Sequence, residues 1–169
     1  MASTTCSSRS SADWTAATFW PPHVFGGNTN QRDEGSSVAI DAAGDILVAG
    51  FLTQVGFQED FLVLKVAGAT GNELWRRTVN GTSDSSDAAA VVVVDTSGDV
   101  IAGGRLGDTG AGDDFAVVKL AGASGGEIWR RIVNSGNLND DCRSLAVAAN
   151  GDVLAAGVLT RRARPPSPT

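Results

Sequence analysis

Nearly the same sentence occurs twice in this sequence. "TGNELWRRTVNG" at 70–81 returns as "SGGEIWRRIVNSG" at 124–136, which sets Trp75 and Trp129 54 positions apart. Other phrases keep that period. "DAAGDILVAG" (41–50) returns as "DTSGDVIAGG" (95–104) and, one residue early, as "AANGDVLAAG" (148–157), while "DFLVLKVAGATGNELWRR" (60–77) returns as "DFAVVKLAGASGGEIWRR" (114–131). A fainter copy, "FWPPHVFGG" (19–27), places Trp20 55 positions before Trp75. A chain written this way folds as a row of similar units, each finding its core against the next. The units cover about 19–80, 81–134 and 135–158, the last one partial. Residues 1–18 and 159–169 have no repeat partner, and their Ser/Thr and Pro/Arg composition predicts an unstructured N-terminal segment and a disordered C-terminal tail.

Within a unit, short apolar runs are broken by glycine, a pattern of strands rather than helices. Helix has no foothold, since no window holds helical spacing and 21 of 169 residues are glycine. Four strands per unit are predicted, at about 36–41, 46–52, 60–66 and 73–80 in the first. The first pair meets at "AAGD", "TSGD" or "ANGD", where Gly44, Gly98 and Gly151 suit the positive φ of a tight hairpin. The second pair meets at "GATGNE" or "GASGGE", so each unit reads as a four-stranded antiparallel meander. With a lone strand around Trp20 and two strands ending near Val158, the chain predicts eleven strands.

Four-stranded sheets repeated at such a period are commonly arranged radially about an axis, as blades of a β-propeller. The expected fold is therefore all-β, with propeller-type repeats of four-stranded antiparallel blades, incomplete at about 2.5 to 3 blades. Trp20, Trp75 and Trp129 are then structural, each indole a wedge between neighbouring sheets. The units resemble bacterial β-propeller repeats related to the seven-bladed β-propeller repeat and the quinoprotein-like propellers. "AIDAAGDILVAG" matches their inner-strand phrase, and "TGNELW" and "SGGEIW" resemble the tryptophan-docking segment of the quinoprotein type. The resemblance spans roughly 19–158. It departs from the family at Ala67 and Ala121, where an Asp or Asn usually stands, which bears on the hydrogen bonds between units. The resemblance implies an architecture and no single activity, because such blades serve binding proteins, enzymes and surface proteins alike.

Charge and cysteine content narrow the function classes. With 13 basic and 19 acidic side chains the net charge is −6, and the only dense basic cluster is "RRAR" at 161–164, read as a solvated tail. That excludes a basic face for nucleic acid. Cys6 and Cys142 stand far apart and imply neither a disulfide framework nor a metal knuckle. No signal peptide or membrane-spanning stretch is visible, so no membrane partner is expected and the compartment stays unknown.

No nucleophile elbow, phosphate-cradling loop, zinc helix or paired-cysteine ligand set occurs. His23, the single histidine, is read as a surface residue. Asp33, Asp87 and Asp140 occupy equivalent positions before each first strand, where an Asp commonly bonds nearby backbone. "NGTSDSSD" (80–87) and "GDTGAGDD" (107–114), with Asp84, Asp108 and Asp113, look like calcium loops but lack that ligand spacing, so ordinary polar loops are expected. Neither a cofactor nor a metal is expected. A meander places the long connections 53–59, 80–88, 105–113 and 134–142 on one face. That face is the expected ligand face, with Asp33, Asp84, Asp87, Asp108, Asp113 and Asp140 as candidate loop residues for a protein or polysaccharide. The function expected is a noncatalytic binding or scaffold module. The alternatives are a fragment of a propeller enzyme, quinoprotein-like or carboxylate-based, and an incomplete propeller with no independent activity. The expected partner is a second copy of the chain, a homo-oligomer formed by completing the terminal half-blade.

Overall fold

A computed structural model describes residues 4–6, 20–21, 23–26, 31–56, 58–83, 85–107, 109, 112–136 and 138–160. The chain is all-β, and no described residue is helical. The described residues form twelve strands: β1 (Thr4–Cys6), β2 (His23–Phe25), β3 (Glu34–Ile40), β4 (Ile46–Thr53), β5 (Glu59–Val66), β6 (Glu73–Val79), β7 (Ala88–Val94), β8 (Val100–Gly107), β9 (Asp113–Leu120), β10 (Glu127–Val133), β11 (Asp141–Val147) and β12 (Val153–Val158). The additional strand is β1, inside the segment expected to lack structure. It supplies the backbone partners that β2 needs, in the register Thr4↔Phe25, Thr5↔Val24 and Cys6↔His23.

Two four-stranded antiparallel meanders, β3-β4-β5-β6 and β7-β8-β9-β10, lie between two hairpins, β1-β2 and β11-β12. Gly44, Gly98 and Gly151 turn the first hairpin of each unit at φ of 84°, 82° and 88°. The first strand of every unit bulges at the same place: between Gly35 and Ser37, Ala89 and Val91, and Cys142 and Ser144.

The layers stack in chain order, and three cores separate them. Trp20 and Phe25 pack on Val48, Leu62 and Leu64 of the first meander. Leu47, Phe61 and Val63, on its other face, meet Val92, Ala102 and Val118 of the second. The far face of the second meander, with Ile101, Phe115 and Val117, meets Cys142 and Leu145 of β11. The central strands of each meander are thus covered on both sides, which is why all eight residues of β4 are buried instead of alternating. Cys142 packs against Gly103, and its burial pushes the thiol up to about 11.

Tryptophans link the layers. The Trp20 indole N–H donates to the Gly68 carbonyl at 3.1 Å, and the Trp75 indole N–H donates to the Gly122 carbonyl at 3.0 Å, one repeat further on. Each indole lies on the glycine of the turn it reaches. A Cβ at Gly71 would stand 2.7 Å from the Trp20 ring and one at Gly125 2.7 Å from the Trp75 ring, with φ at 76° and 69°. Only glycine meets both demands at once. The hydrogen bond between units therefore runs from the indole to the turn carbonyl, needing no side chain at Ala67 or Ala121. Trp20 is buried, while Trp75 and Trp129 are half-buried. His23 is also half-buried, with its ring edge-on to Trp20 at 5.3 Å and stacked with Phe25 at 6.0 Å, instead of at the surface.

Charges repeat as regularly at the short turns. Lys65 lies 2.8 Å from Asp41, 3.3 Å from Asp45 and 3.3 Å from the Gly122 carbonyl of the next layer. Lys119 lies 2.7 Å from Asp95 and 3.1 Å from Asp99. Burial opposes ionisation of Asp41 and Asp95, but the lysine hydrogen bonds and the turn amides outweigh it and hold both carboxyls below their usual range. Each last strand carries a matching pair, Glu73 with Arg76 and Glu127 with Arg130; those arginines also reach the carbonyls of Gly26 and Asn80, at the end of the preceding last strand.

The indole-on-glycine contact is expected to behave as a unit. Gly125→Ala should cost about 1–3 kcal/mol through its backbone conformation and its collision with the ring. Trp75→Ala should cost about 3 kcal/mol. In urea unfolding the double variant should lose less than the sum, because the new methyl group no longer meets an indole. Strict additivity would show that the two residues do not share this contact.

Candidate functional site

Sequence repeats place three aspartates before the first strands, and all three are buried. Asp33 accepts the Thr53 amide at 2.8 Å, Asp87 the Gly107 amide at 2.6 Å and Asp140 the Thr160 amide at 2.7 Å, each twenty residues ahead. The second carboxylate oxygen looks back to the chain leaving the preceding sheet: Asp87 takes the Gly81 amide at 2.9 Å, and Asp140 the Ser135 amide at 2.8 Å. The carboxylate therefore joins the start of a first strand, the end of the second and the chain leaving the previous sheet. Thr160 of the expected tail is fastened in this way, with its hydroxyl also bonded to the Asn139 carbonyl at 2.7 Å.

Two of these aspartates titrate in opposite directions. Burial dominates at Asp87, reinforced by the charges of Asp60 and Asp113, and raises its carboxyl above the usual range despite two amide bonds. Burial opposes ionisation at Asp140 as well, but the Ser135 hydroxyl at 2.7 Å and the Thr160 and Ser135 amides prevail and lower it. Gly81 at the equivalent position carries no hydroxyl, and this difference acts together with the charges of Asp60 and Asp113, which have no counterpart at Asp140.

On the same pole, where the long connections lie, the strand ends enclose a cleft of about 250 Å³. Its walls come from all three first strands, at Glu34 and Ser36 of β3, Ala88 to Ala90 of β7 and Asp141 of β11, completed by Arg32, Phe51, Glu59 and Arg105. Arg32 pairs with Glu34 and lays its guanidinium 5.4 Å above the Phe51 ring. Arg105 reaches across, 3.6 Å from Glu59 and 3.3 Å from Asp113. Its Nε is buried outside hydrogen-bond geometry, so the guanidinium is held by charge. Arg143 pairs with Asp141 at 3.1 Å beside the bulge of β11. The cleft thus offers both signs of charge at close range.

Of the candidate loop residues, Asp33, Asp87 and Asp140 bind backbone, Asp113 pairs with Arg105, and Asp84 and Asp108 lie outside the described residues. His23 is not part of the cleft lining. Sequence reasoning passed over Arg32, Glu34, Glu59, Arg105 and Asp141. A signal for them was present in the repeats themselves. Framework residues recur (Asp33, Asp87, Asp140; Lys65, Lys119), whereas the cleft positions change from unit to unit: Glu34, Ala88, Asp141; Ser36, Ala90, Arg143; Phe51, Arg105, Val158.

Among the described residues, no group of three or more His, Cys, Asp or Glu is placed to hold a metal, and no helix is long and apolar enough to cross a membrane. No protein-family model and no curated protein matches the chain.

Opposite pKa shifts predict opposite pH trends. A lowered carboxyl contributes stability that is present above its unfolded pKa and lost as pH falls through the folded one; a raised carboxyl contributes stability present below its unfolded pKa and lost as pH rises through the folded one. In urea titrations the penalty of Asp140→Asn should therefore be larger at pH 7 than at pH 3, and that of Asp87→Asn larger at pH 3 than at pH 7. Parallel pH profiles for the two variants would contradict this assignment.

Proposed function

We propose that the chain is a noncatalytic binding module built from β-propeller blades, with the cleft at the long-connection pole as its ligand face. Two four-stranded meanders stacked in series at a constant period support the propeller reading. The observation that carries the functional reading is the contrast between a repeated framework and a cleft lining that differs in every unit. Residues copied with the repeat hold the fold, whereas a lining released from copying fits a specific partner.

The chemistry of the lining favours a peptide segment with an acidic and a basic side chain close together. Arg32 and Arg105 face Glu34, Glu59 and Asp141 across a short span, so a segment of mixed charge exchanges pairs with the wall and leaves no charge unmatched. A polysaccharide fits less well, because the Phe51 ring face is already covered by Arg32. A catalytic reading has less support: Asp33, Asp87 and Asp140, which the repeat brings to this pole, all accept backbone hydrogen bonds.

A peptide array sorted by charge pattern, read by fluorescence polarisation, tests this. Mixed-charge peptides should bind and purely acidic or purely basic ones should not. Arg105→Ala should weaken the best peptide by about tenfold or more, the loss of one charged hydrogen bond, and raising salt should weaken it further. Binding insensitive to Arg105, or a preference for neutral glycans on a parallel array, would overturn the reading.

A further inference from the structure

The two end hairpins are complementary halves of one sheet. In both meanders the third and fourth strands pair as Phe61↔Val79 and Val63↔Arg77, and as Phe115↔Val133 and Val117↔Arg131. The N-terminal hairpin repeats this register as Thr4↔Phe25 and Cys6↔His23, with Phe25 and His23 one period before Val79 and Arg77. β1-β2 is therefore a third and fourth strand. The C-terminal hairpin repeats the other half: Asp141↔Val158 and Cys142↔Gly157 match Ala88↔Arg105 and Ala89↔Gly104, bulge included. β11-β12 is a first and second strand.

Each half lacks what the other has. Among the described residues no strand pairs with the outer edge of β12. The outer edges of β6 and β10 carry glutamate and arginines, which discourage pairing, but β12 reads Val-Leu-Ala-Ala-Gly-Val without a charge. Beside it an apolar groove of about 300 Å³ runs between Phe115, Val133, Ala155, Gly157 and Leu159. Exposure compared at equivalent positions shows how much cover is missing. Val79 is 2% exposed and its counterpart Val133 45%; Ile101 is 0% exposed and its counterpart Leu154 58%. The opposite end shows the same loss, with Val92 3% exposed and its counterpart Val38 on β3 68%.

One chain cannot join its own halves, because β1-β2 packs on the first meander, β11-β12 packs on the second, and both meanders stand between them. We propose that two copies of this chain close head to tail, the β1-β2 hairpin of each adding to the β12 edge of the other to complete a four-stranded sheet. The register carried over from Arg105↔Phe115, Gly104↔Ala116 and Gly103↔Val117 sets Val158 opposite Thr4, Gly157 opposite Thr5 and Ala156 opposite Cys6 of the second copy. Two chains then make six complete sheets, within the four to eight that a closed ring holds, while a third copy would exceed that number. Closure covers Leu154 with the β3 flank of the other copy, where Val38 and Ile40 are exposed. It also brings three further first strands around the cleft, which is built here from β3, β7 and β11 alone. The inference rests on strand register and exposure and stands whether or not the cleft binds a peptide.

Light scattering on the unaltered chain at micromolar concentration should give twice the monomer mass. Ala156→Cys, oxidised with copper–phenanthroline, should link Cys6 of one copy to position 156 of the other and run as a covalent dimer on a non-reducing gel. The link should be absent when Cys6→Ser is added and much slower with Leu154→Cys, which lies off register. Leu154→Glu should leave the circular dichroism spectrum unchanged and weaken the dimer about a hundredfold, as loss of a buried anchor does. A monomeric mass for the unaltered chain overturns the proposal without recourse to any variant. So would an open-ended series of larger assemblies, a link from Cys6 to position 156 within one chain, or a dimer indifferent to Leu154→Glu.

Discussion

An indole lying on a glycine one repeat ahead is the contact on which the rest of this structure depends. Sheets with apolar residues on both faces have no stable form alone, and something must set how far apart and in what order they stack. Trp20 on Gly71 and Trp75 on Gly125 do so by shape, and the indole N–H fixes the approach by reaching the carbonyls of Gly68 and Gly122. With that spacing set, Leu47, Phe61 and Val63 find Val92, Ala102 and Val118 across the gap, and burial does the remainder. The polar links follow the same logic. Lys65 reaches the Gly122 carbonyl, Arg130 reaches the Asn80 carbonyl, and Asp87 holds the Gly81 amide, so the two meanders are tied to each other at both poles.

Strands from β3 to β10 were legible in the sequence because their signals are local: apolar runs, glycine turns and a period that checks each assignment against its copy. The positive φ at Gly44, Gly98 and Gly151 follows from turn chemistry alone. β1 was not legible. Thr4, Thr5 and Cys6 have no repeat partner in the text, and their pairing with Val24 and its neighbours is a long-range choice made by a strand in need of an edge. His23 misled for a related reason: in sequence it stands beside two prolines, and only the fold brings Trp20 and Phe25 around it. The carboxylates were placed before each first strand correctly, but their reach of twenty residues exceeds what a turn motif describes. The cleft was hardest, since it needs three units at once and its residues are those the repeat does not copy.

That last point reflects a division of labour between the two poles. At the short-turn pole, nearly every polar side chain of the repeat is committed: Asp41 to Lys65 and two turn amides, Asp95 to Lys119 and two more, Asp45 and Asp99 to the amides of Gly68 and Gly122. The third unit shows what happens when that commitment lapses. It has Ala148 where the others have Asp41 and Asp95, and its turn is closed by Asn150, whose side chain takes the Asp152 amide at 3.1 Å and donates to the Asp152 carboxylate at 2.8 Å. A residue that bonds only within its own turn suffices there, because no third-strand lysine lies beside it among the described residues.

At the long-connection pole a single aspartate per unit carries the structural burden, and it does so chiefly through backbone amides, joined at Asp140 by the Ser135 hydroxyl. Amide bonds make no demand on neighbouring side chains, so the strand ends around them are free to differ. Glu34, Ala88 and Asp141 directly follow the three aspartates in sequence, yet Ala88 carries no charge and the two acids differ in length. Had the ties been made between side chains, as with Lys65 and Asp41, a change in one partner would have stranded the other, and the lining would have been copied along with the framework. Anchoring to backbone is what permits a repeated fold to present a cleft that is not itself repeated.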